Sequence, residues 1–566
     1  MFKYRIHYAP SSRALEQAAR VGSNMAVVYS VGPCSHLWFA RDPVSGREMD
    51  EFPIYFDDYP KVAAVRRNAD AVWIEPLRRR IGALCDRALE LGMKPVLHFY
   101  EPMLPLAFER EYPDLVGTFK RPTQDGTIDV HTHLNPDNPA TWELMKSKYR
   151  EIARAFPQFA MFVITTGDTA SSYWCVPQAQ MPIHRRLARN VQAAREGIRE
   201  AGGHAQVCFR LWWRNFPGEY YRDGHRLTEE LTGLQNATEY LCRIGKPHND
   251  PDVVLPALFE ELPADVPIMY KSTRMDIHDD SPLTHVLGTY PKDREQIIEI
   301  SFELYHLKPW PWCKIKHIRQ GYEAARDHRL AGYVSLPINV ENNDRDLDPE
   351  TGNLGRMNTW LFEQLAKGDK RGDAELVAAW LEKEFGAPQP AAVVEALLDA
   401  DRLASEGIQW GRGIQNRLPF ASLHTTKLYW MFDGFIQPDF PYRMAQPTRE
   451  LLESLIQMKH EAQASADRHL ARIEAARGGM SPALYEELHA GYSNFADYIL
   501  LVRDWSSYLL MQYGIERGVF PADRPTLGRM SRYAERFIRN LVRLKDRPAG
   551  KKAQAQLAFP DAFPLT

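Results

Sequence analysis

The sequence predicts an α/β fold, a (β/α)8 TIM barrel followed by a mostly α-helical C-terminal domain, and three observations predict it. Over the first 340 residues, short β-branched or aromatic runs alternate with amphipathic helical runs, and eight of the former can be counted, the strand number of a closed parallel barrel. The connections after these runs (31–70, 101–138, 167–180 and 272–292) are long and rich in Pro, Gly, Asp and Asn, whereas those before them are short. That asymmetry is expected where loops at the C-terminal ends of the strands build a site. Beyond about residue 355 the strand signal fades and long helical runs replace it.

The predicted strands are 3–8, 25–30, 94–100, 159–166, 204–213, 266–271, 296–303 and 331–337. One unit shows the logic. Ile74, Leu77, Ile81, Leu84, Ala88 and Leu89 recur at helical spacing, Gly92 offers a left-handed stop, and the run Lys94 to Tyr100 follows at once, which is an αβ step. Helices are expected over 373–385, 391–405, 447–476, 481–515 and 523–545, with an irregular tail from Lys551. The expected division is a catalytic barrel over 1–350 and a helical domain over 351–566.

Composition narrows the function classes. With 566 residues, 44% apolar and 25% charged, the chain has ample material for a large core, and a formal charge of -3 argues against a general binder of nucleic acid or anionic membrane. No apolar leader opens the chain and no 18-residue apolar span follows, so a cytoplasmic location is expected. Six scattered cysteines without C-x-x-C spacing fit reduced thiols rather than a disulfide framework or a zinc site.

The run Gln296 to Glu303 carries the sharpest local signal. Its alternation puts Glu299, Ser301 and Glu303 on one side and Ile298, Ile300 and Phe302 on the other. Carboxylates on such a strand are costly to bury unless they meet charges, hydrogen bonds or a ligand. Three carboxylates close the fourth, sixth and seventh strands: Asp168 after 159–166, Asp276 after 266–271, and Glu303. Any one could cap a helix or pair with a nearby cation; together they favour a site suited to glycoside hydrolysis, in which one carboxyl protonates the leaving oxygen and another activates water or attacks carbon.

Cationic and aromatic residues fall at the same end: His98 and Tyr100 on the third strand, Arg210, Trp212, Trp213 and Arg214 on the fifth, and Lys271 on the sixth. Trp faces stack on sugar rings and Arg or Lys can hold a carboxylate, although Arg210 could equally neutralise Glu299 or Glu303 inside the barrel. Glu299, two pleats deeper than Glu303, is read as a buried partner for a cation such as Arg210. His131-Thr132-His133 has a spacing found at some metal sites but is read as part of a loop without further ligands, so no metal is assigned.

The ordered motifs resemble the xylan-debranching α-glucuronidases of glycoside hydrolase family 67 over about residues 70–390. Leu134-Asn135-Pro136-Asp137-Asn138-Pro139 and the helix into Phe156-Pro157-Gln158-Phe159 resemble the approach to the fourth strand, Phe209-Arg210-Leu211-Trp212 the fifth, Lys271 to Asp276 the sixth, and Ile300-Ser301-Phe302-Glu303 the seventh. Asn358-Thr359-Trp360 with Leu365-Ala366, then Trp380 and Phe385-Gly386, resemble the entry to the family's helical domain. The resemblance implies that Asp168 stands where the family carries its general acid, there a Glu, that Asp276 and Glu303 activate water, and that Arg210 and Lys271 grip a uronic carboxylate. It also puts Ile164 where the family has a further carboxylate-binding Lys, and the family's N-terminal α/β domain has no counterpart in this chain.

The resulting expectation is an exo-acting, inverting glycoside hydrolase releasing an α-linked uronic acid of glucuronic type, or a related sugar, from an oligosaccharide. Asp168, Asp276 and Glu303 are the catalytic candidates, and Arg210, Lys271, Trp212 and His98 the substrate-binding ones; no cofactor is required. Ile164 supports an alternative, a hexosaminidase or neutral-sugar exo-glycosidase, and the shortened acid Asp168 another, a non-catalytic carbohydrate-binding protein. The long C-terminal helices are compatible with a homodimer, and no nucleic acid or membrane partner is expected.

Overall fold

The computed structural model describes residues 2–31, 52–68, 73–102, 104–105, 107–122, 128–165, 179–211, 251–271, 283, 287–288, 293–301, 313–336, 352–408, 443–444 and 446–551. Its strands are β1 (Tyr4–Tyr8), β2 (Met25–Val31), β3 (Lys94–Tyr100), β4 (Val116–Pro122), β5 (Ile128–Leu134), β6 (Met161–Thr165), β7 (Gln206–Leu211), β8 (Ile268–Lys271), β9 (Gln296–Ser301) and β10 (Gly332–Leu336). Eight of them close a parallel barrel in the order β1-β10-β9-β8-β7-β6-β3-β2. These are the eight runs expected from sequence.

Strand alternation sorts the side chains into two layers. Tyr4, Ile6, Tyr8, Met25, Val27, Val96, Met161, Val163, Cys208, Met269, Ile297, Val334 and Leu336 pack together inside the barrel, with all eight strands contributing. Their neighbours in sequence, among them Leu97, Phe99, Phe162, Phe209, Ile298 and Ile300, face the helices. Closure brings β10 hard against β1: a Cβ on Gly332 would lie 2.1 Å from the Tyr4 carbonyl oxygen, so only glycine fits there.

The helices around the barrel are α1 (Ser12–Arg20), α2 (Pro60–Asn68), α3 (Glu75–Glu90), α4 (Ala107–Glu111), α5 (Pro139–Ala155), α6 (Ile183–Glu200), α7 (Pro251–Glu261) and α8 (Ile315–Asp327). Local chemistry starts them. Ser11 accepts from the Ala14 amide at the head of α1, and Asn138 accepts from Ala140 at the head of α5 with Pro139 in the first turn.

One element was not expected. β4 and β5 form a two-stranded antiparallel sheet between β3 and β6, in a segment read from sequence as a connection. His131, Thr132 and His133 therefore lie on a strand and not in a loop.

The C-terminal helices are α9 (Gly352–Ala366), α10 (Asp373–Phe385), α11 (Ala391–Ile408), α12 (Arg449–Ala475), α13 (Pro482–Glu516) and α14 (Arg524–Leu544). The expected break at 350/351 lies outside the described residues, as does nearly all of the expected tail. α9 packs on the barrel, its Phe362 ring 5.4 Å from that of Tyr333. Beyond it, Lys314 at the head of α8 donates its amide to Asn358 Oδ1 of α9 at 2.8 Å and forms a buried ion pair with Asp401 of α11. Arg319 Nε meets Asp373 Oδ1 at 2.7 Å.

Candidate active site

The upper interior of the barrel, toward the C-terminal ends of the strands, changes from apolar to polar. The interior parity that carries Ile6, Val96, Val163, Cys208, Met269 and Ile297 continues to Tyr8, His98, Thr165, Arg210, Lys271 and Glu299 one step further along each strand. All six are buried, at 5% exposure or less.

Hydrogen bonds join five of them, Tyr8, His98, Thr165, Arg210 and Glu299, into one chain. Tyr8 Oη makes a short bond to His98 Nδ1, with Ser30 Oγ 3.3 Å from the same nitrogen, and His98 Nε2 lies 2.7 Å from Thr165 Oγ1. Arg210 Nη1 donates to Thr165 Oγ1 at 3.4 Å, while its Nε and Nη2 donate to the two oxygens of Glu299, both at 2.6 Å. Lys271 stands beside Glu299 in the β8–β9 register. A bidentate Arg–carboxylate pair is the strongest way to hold a buried charge in one orientation.

Electrostatics fix the protonation of the histidine. Burial holds the His98 pKa well below its ordinary value, and the charges of Arg210 and Lys271 push it down further. The ring is neutral, with one N–H and one lone pair, so of its hydroxyl partners on opposite nitrogens one accepts and the other donates. The layer thus presents two fixed cations, one fixed carboxylate and a neutral imidazole at the floor of the mouth. Such preorganised charge can orient an anionic group without reorganising.

Among the sequence candidates, the structure brings Arg210, Lys271 and His98 into this layer. Asp168, Asp276, Glu303 and Trp212 lie outside the described residues. In sequence, Trp212 directly follows the last residue of β7, and Glu303 comes two residues after the last residue of β9. Glu299 is the buried partner of Arg210, as its depth on the strand suggested.

Ile164 is a correction. It is fully buried among the residues that face the helices, and the interior position next to it belongs to Thr165. A Lys at 164 would point away from the interior, so the Ile carries no information about substrate charge.

Three members of the network were not singled out from sequence: Tyr8, Ser30 and Thr165. Tyr8 was findable, because Tyr4, Ile6 and Tyr8 share parity and Tyr8 is the last of the strand. Glu101, just past β3, also went unremarked; it faces Lys148 of α5 in a buried pair at 2.9 and 3.0 Å. Among the described residues no group of three or more His, Cys, Asp or Glu could hold a metal ion, and no helix is long and apolar enough to cross a membrane.

Neither a family model nor a curated protein matches the sequence. Among solved structures, a GH138 enzyme targeting pectin rhamnogalacturonan II aligns with 96% of this chain at 13% identity and a TM-score of 0.55. This chain and that enzyme share a fold. The chain spans 59% of the length of that enzyme. An O-GlcNAc hydrolase variant of Thermobaculum terrenum aligns at 10% identity over 98% of this chain and 93% of its own, with a TM-score of 0.40. Of the family 67 resemblance, what stands is this coarser likeness of fold.

Proposed function

We propose that the protein is an exo-acting, inverting glycoside hydrolase whose substrate carries a carboxylate, an α-linked uronic acid of glucuronic type or a related sugar. The observation that carries the reading is the buried layer at the mouth of the barrel, where Arg210, locked by Glu299 and Thr165, lies alongside Lys271. A glycoside-hydrolase-like barrel supports the reaction class, and the GH138 enzyme that shares it targets a polysaccharide, pectin rhamnogalacturonan II.

Asp168 donates a proton to the glycosidic oxygen while Asp276 and Glu303 position and deprotonate the water that attacks the opposite face of the sugar, which requires the carboxyl groups to stand about 6.5–9.5 Å apart. Lys271 and the outer edge of Arg210 hold the carboxylate, Trp212 packs on the ring, and His98 acts by fixing Thr165 and Tyr8. The outward-facing Ile164 removes the feature that favoured a neutral sugar. A homodimer through the helical domain is part of the proposal, supported by the exposed Leu527, Ile538 and Val542 on α14.

The test is a set of variants read by proton NMR of the released anomer. Asp276→Asn, Glu303→Gln and Asp168→Asn should each lower turnover by about 10²–10⁴-fold with unchanged circular dichroism, and the wild type should release the inverted anomer first. Near-normal turnover in all three variants, or release of the retained anomer, would refute the mechanism.

A further inference from the structure

The opposite, N-terminal end of the barrel gathers cations and aromatic rings. A cleft of about 800 Å³ opens there between the starts of β1 and β10 and the ends of α1, α8 and α9. Its floor is three aromatic rings in edge-to-face contact: Phe2 with Tyr333 at 5.3 Å, Phe2 with Tyr322 at 6.0 Å, and Tyr322 with Tyr333 at 5.9 Å. Its wall is Arg5, Arg20, Arg326, Arg329 and Lys367, and among the described residues no carboxylate lines it.

The cations differ in how far they are committed. Arg326 pairs with Asp327 and Lys367 with Glu363, both outside the cleft lining. Arg5 donates to the carbonyls of Gly22 and Phe2. Arg20 and Arg329 make no side-chain hydrogen bond or ion pair among the described residues. Like charges gathered without counter-charges cost energy unless something neutralises them.

Arg329 adds an independent mark. Helices in this chain stop on left-handed glycines, as at Gly22, Gly92 and Gly202, whereas α8 stops on Arg329 at φ 54. A residue with a Cβ is disfavoured in that region, and strain of this kind gathers where a side chain has a use. Glycine would make the better helix stop, yet the position places a guanidinium on the rim of the cleft.

We infer that this cleft binds a multivalent organic anion, one carrying several carboxylate or phosphate groups around a body that rests on the aromatic floor. The guanidinium forks suit both oxyanions. The cations come from separate elements around an open cleft, which fits an anion with its charges spread along it rather than a single phosphate. The volume lies in the range of small-molecule sites. The site is remote from the mouth and does not depend on the reaction proposed there.

The test is titration calorimetry of the full chain with trigalacturonate, tripolyphosphate and, as a neutral control, maltotriose. At least one of the two anions should bind, its identity telling carboxylate from phosphate chemistry, and maltotriose should not. Arg20→Glu combined with Arg329→Glu should weaken that binding at least tenfold. Arg329→Gly should weaken it several-fold while the Tm stays the same or rises, which a merely structural role for Arg329 would not give. If neither anion binds, or if the double variant binds both as well as the wild type does, the proposal fails.

Discussion

Arg210 and Glu299 form a two-pronged ion pair across the inside of the barrel, both contacts at 2.6 Å and both side chains at 1% exposure or less. Two strands that are not neighbours in the barrel order, β7 and β9, are thereby tied over the head of the intervening β8. Burying both charges is expensive, and the pair is tolerable because its geometry is good and Thr165 takes a further guanidinium hydrogen. Such an arrangement stabilises little relative to apolar packing, but removing one partner strands the other charge.

That asymmetry yields a prediction. Glu299→Leu alone should destabilise the protein by about 3–5 kcal/mol, whereas Glu299→Leu with Arg210→Met should recover most of the loss. Urea denaturation of the two singles and the double measures this. Equal destabilisation in double and single variants would show that the charges are not energetically coupled.

The acid side of the stability profile should depend on His7. Its ring is fully buried behind the barrel wall, makes a short contact with Ser335, and burial lowers its pKa to about 4 from 6.5. The unfolded chain takes up the proton more readily than the folded one, so the contribution is complete above about pH 6.5 and is lost as pH falls from there toward 4, by up to about 3 kcal/mol. Between pH 7.5 and pH 5 the urea midpoint should fall further in the wild type than in His7→Gln; parallel falls would refute the assignment.

Two glycines should respond in opposite directions to alanine. Gly332→Ala drives a Cβ into the Tyr4 carbonyl where the barrel closes and should cost about 1–3 kcal/mol or more. Gly82→Ala, in the middle of α3 with open space around the added methyl, should stabilise by about 0.5–1 kcal/mol. Thermal melts decide both, and a neutral Gly332→Ala would contradict the closure described for β1 and β10.

The described cysteines should be inert. Cys85, Cys208 and Cys313 are all buried, and burial pushes the Cys85 thiol up to about 12 and the Cys208 thiol higher than its ordinary value. Iodoacetamide at pH 8, followed by peptide mapping, should modify none of the three in the folded protein and all of them in urea. Rapid native labelling of Cys208 would mean that the barrel interior is open to reagent.

Much of this architecture was legible because it depends on local periodicity. All eight barrel strands and the C-terminal helices from Asp373 onward follow from apolar spacing, caps and stops. The β4–β5 hairpin was hidden because Gly117, Lys120, Arg121 and Pro122 read as loop chemistry, and pairing between two strands supplies what composition lacks. The polar layer was half legible. Charged residues in apolar strands, Arg210 and Glu299, announce themselves, but Tyr8 and Thr165 join only through strand register, which a single sequence does not display. Ile164 was misassigned for the same reason: one residue of register exchanges the two faces of a strand.

Arg210 and Lys271 are proposed to hold a sugar carboxylate, and Lys271 tests this without removing the guanidinium that binds Glu299. The decisive measurement is kcat/KM on p-nitrophenyl α-glucuronide and p-nitrophenyl α-glucoside for the wild type and Lys271→Met. The wild type should prefer the uronoside, and the variant should lose most of that preference, about tenfold or more, while its rate on the glucoside changes little. No hydrolysis of the uronoside by the wild type, or an equal loss on both substrates in the variant, would contradict it.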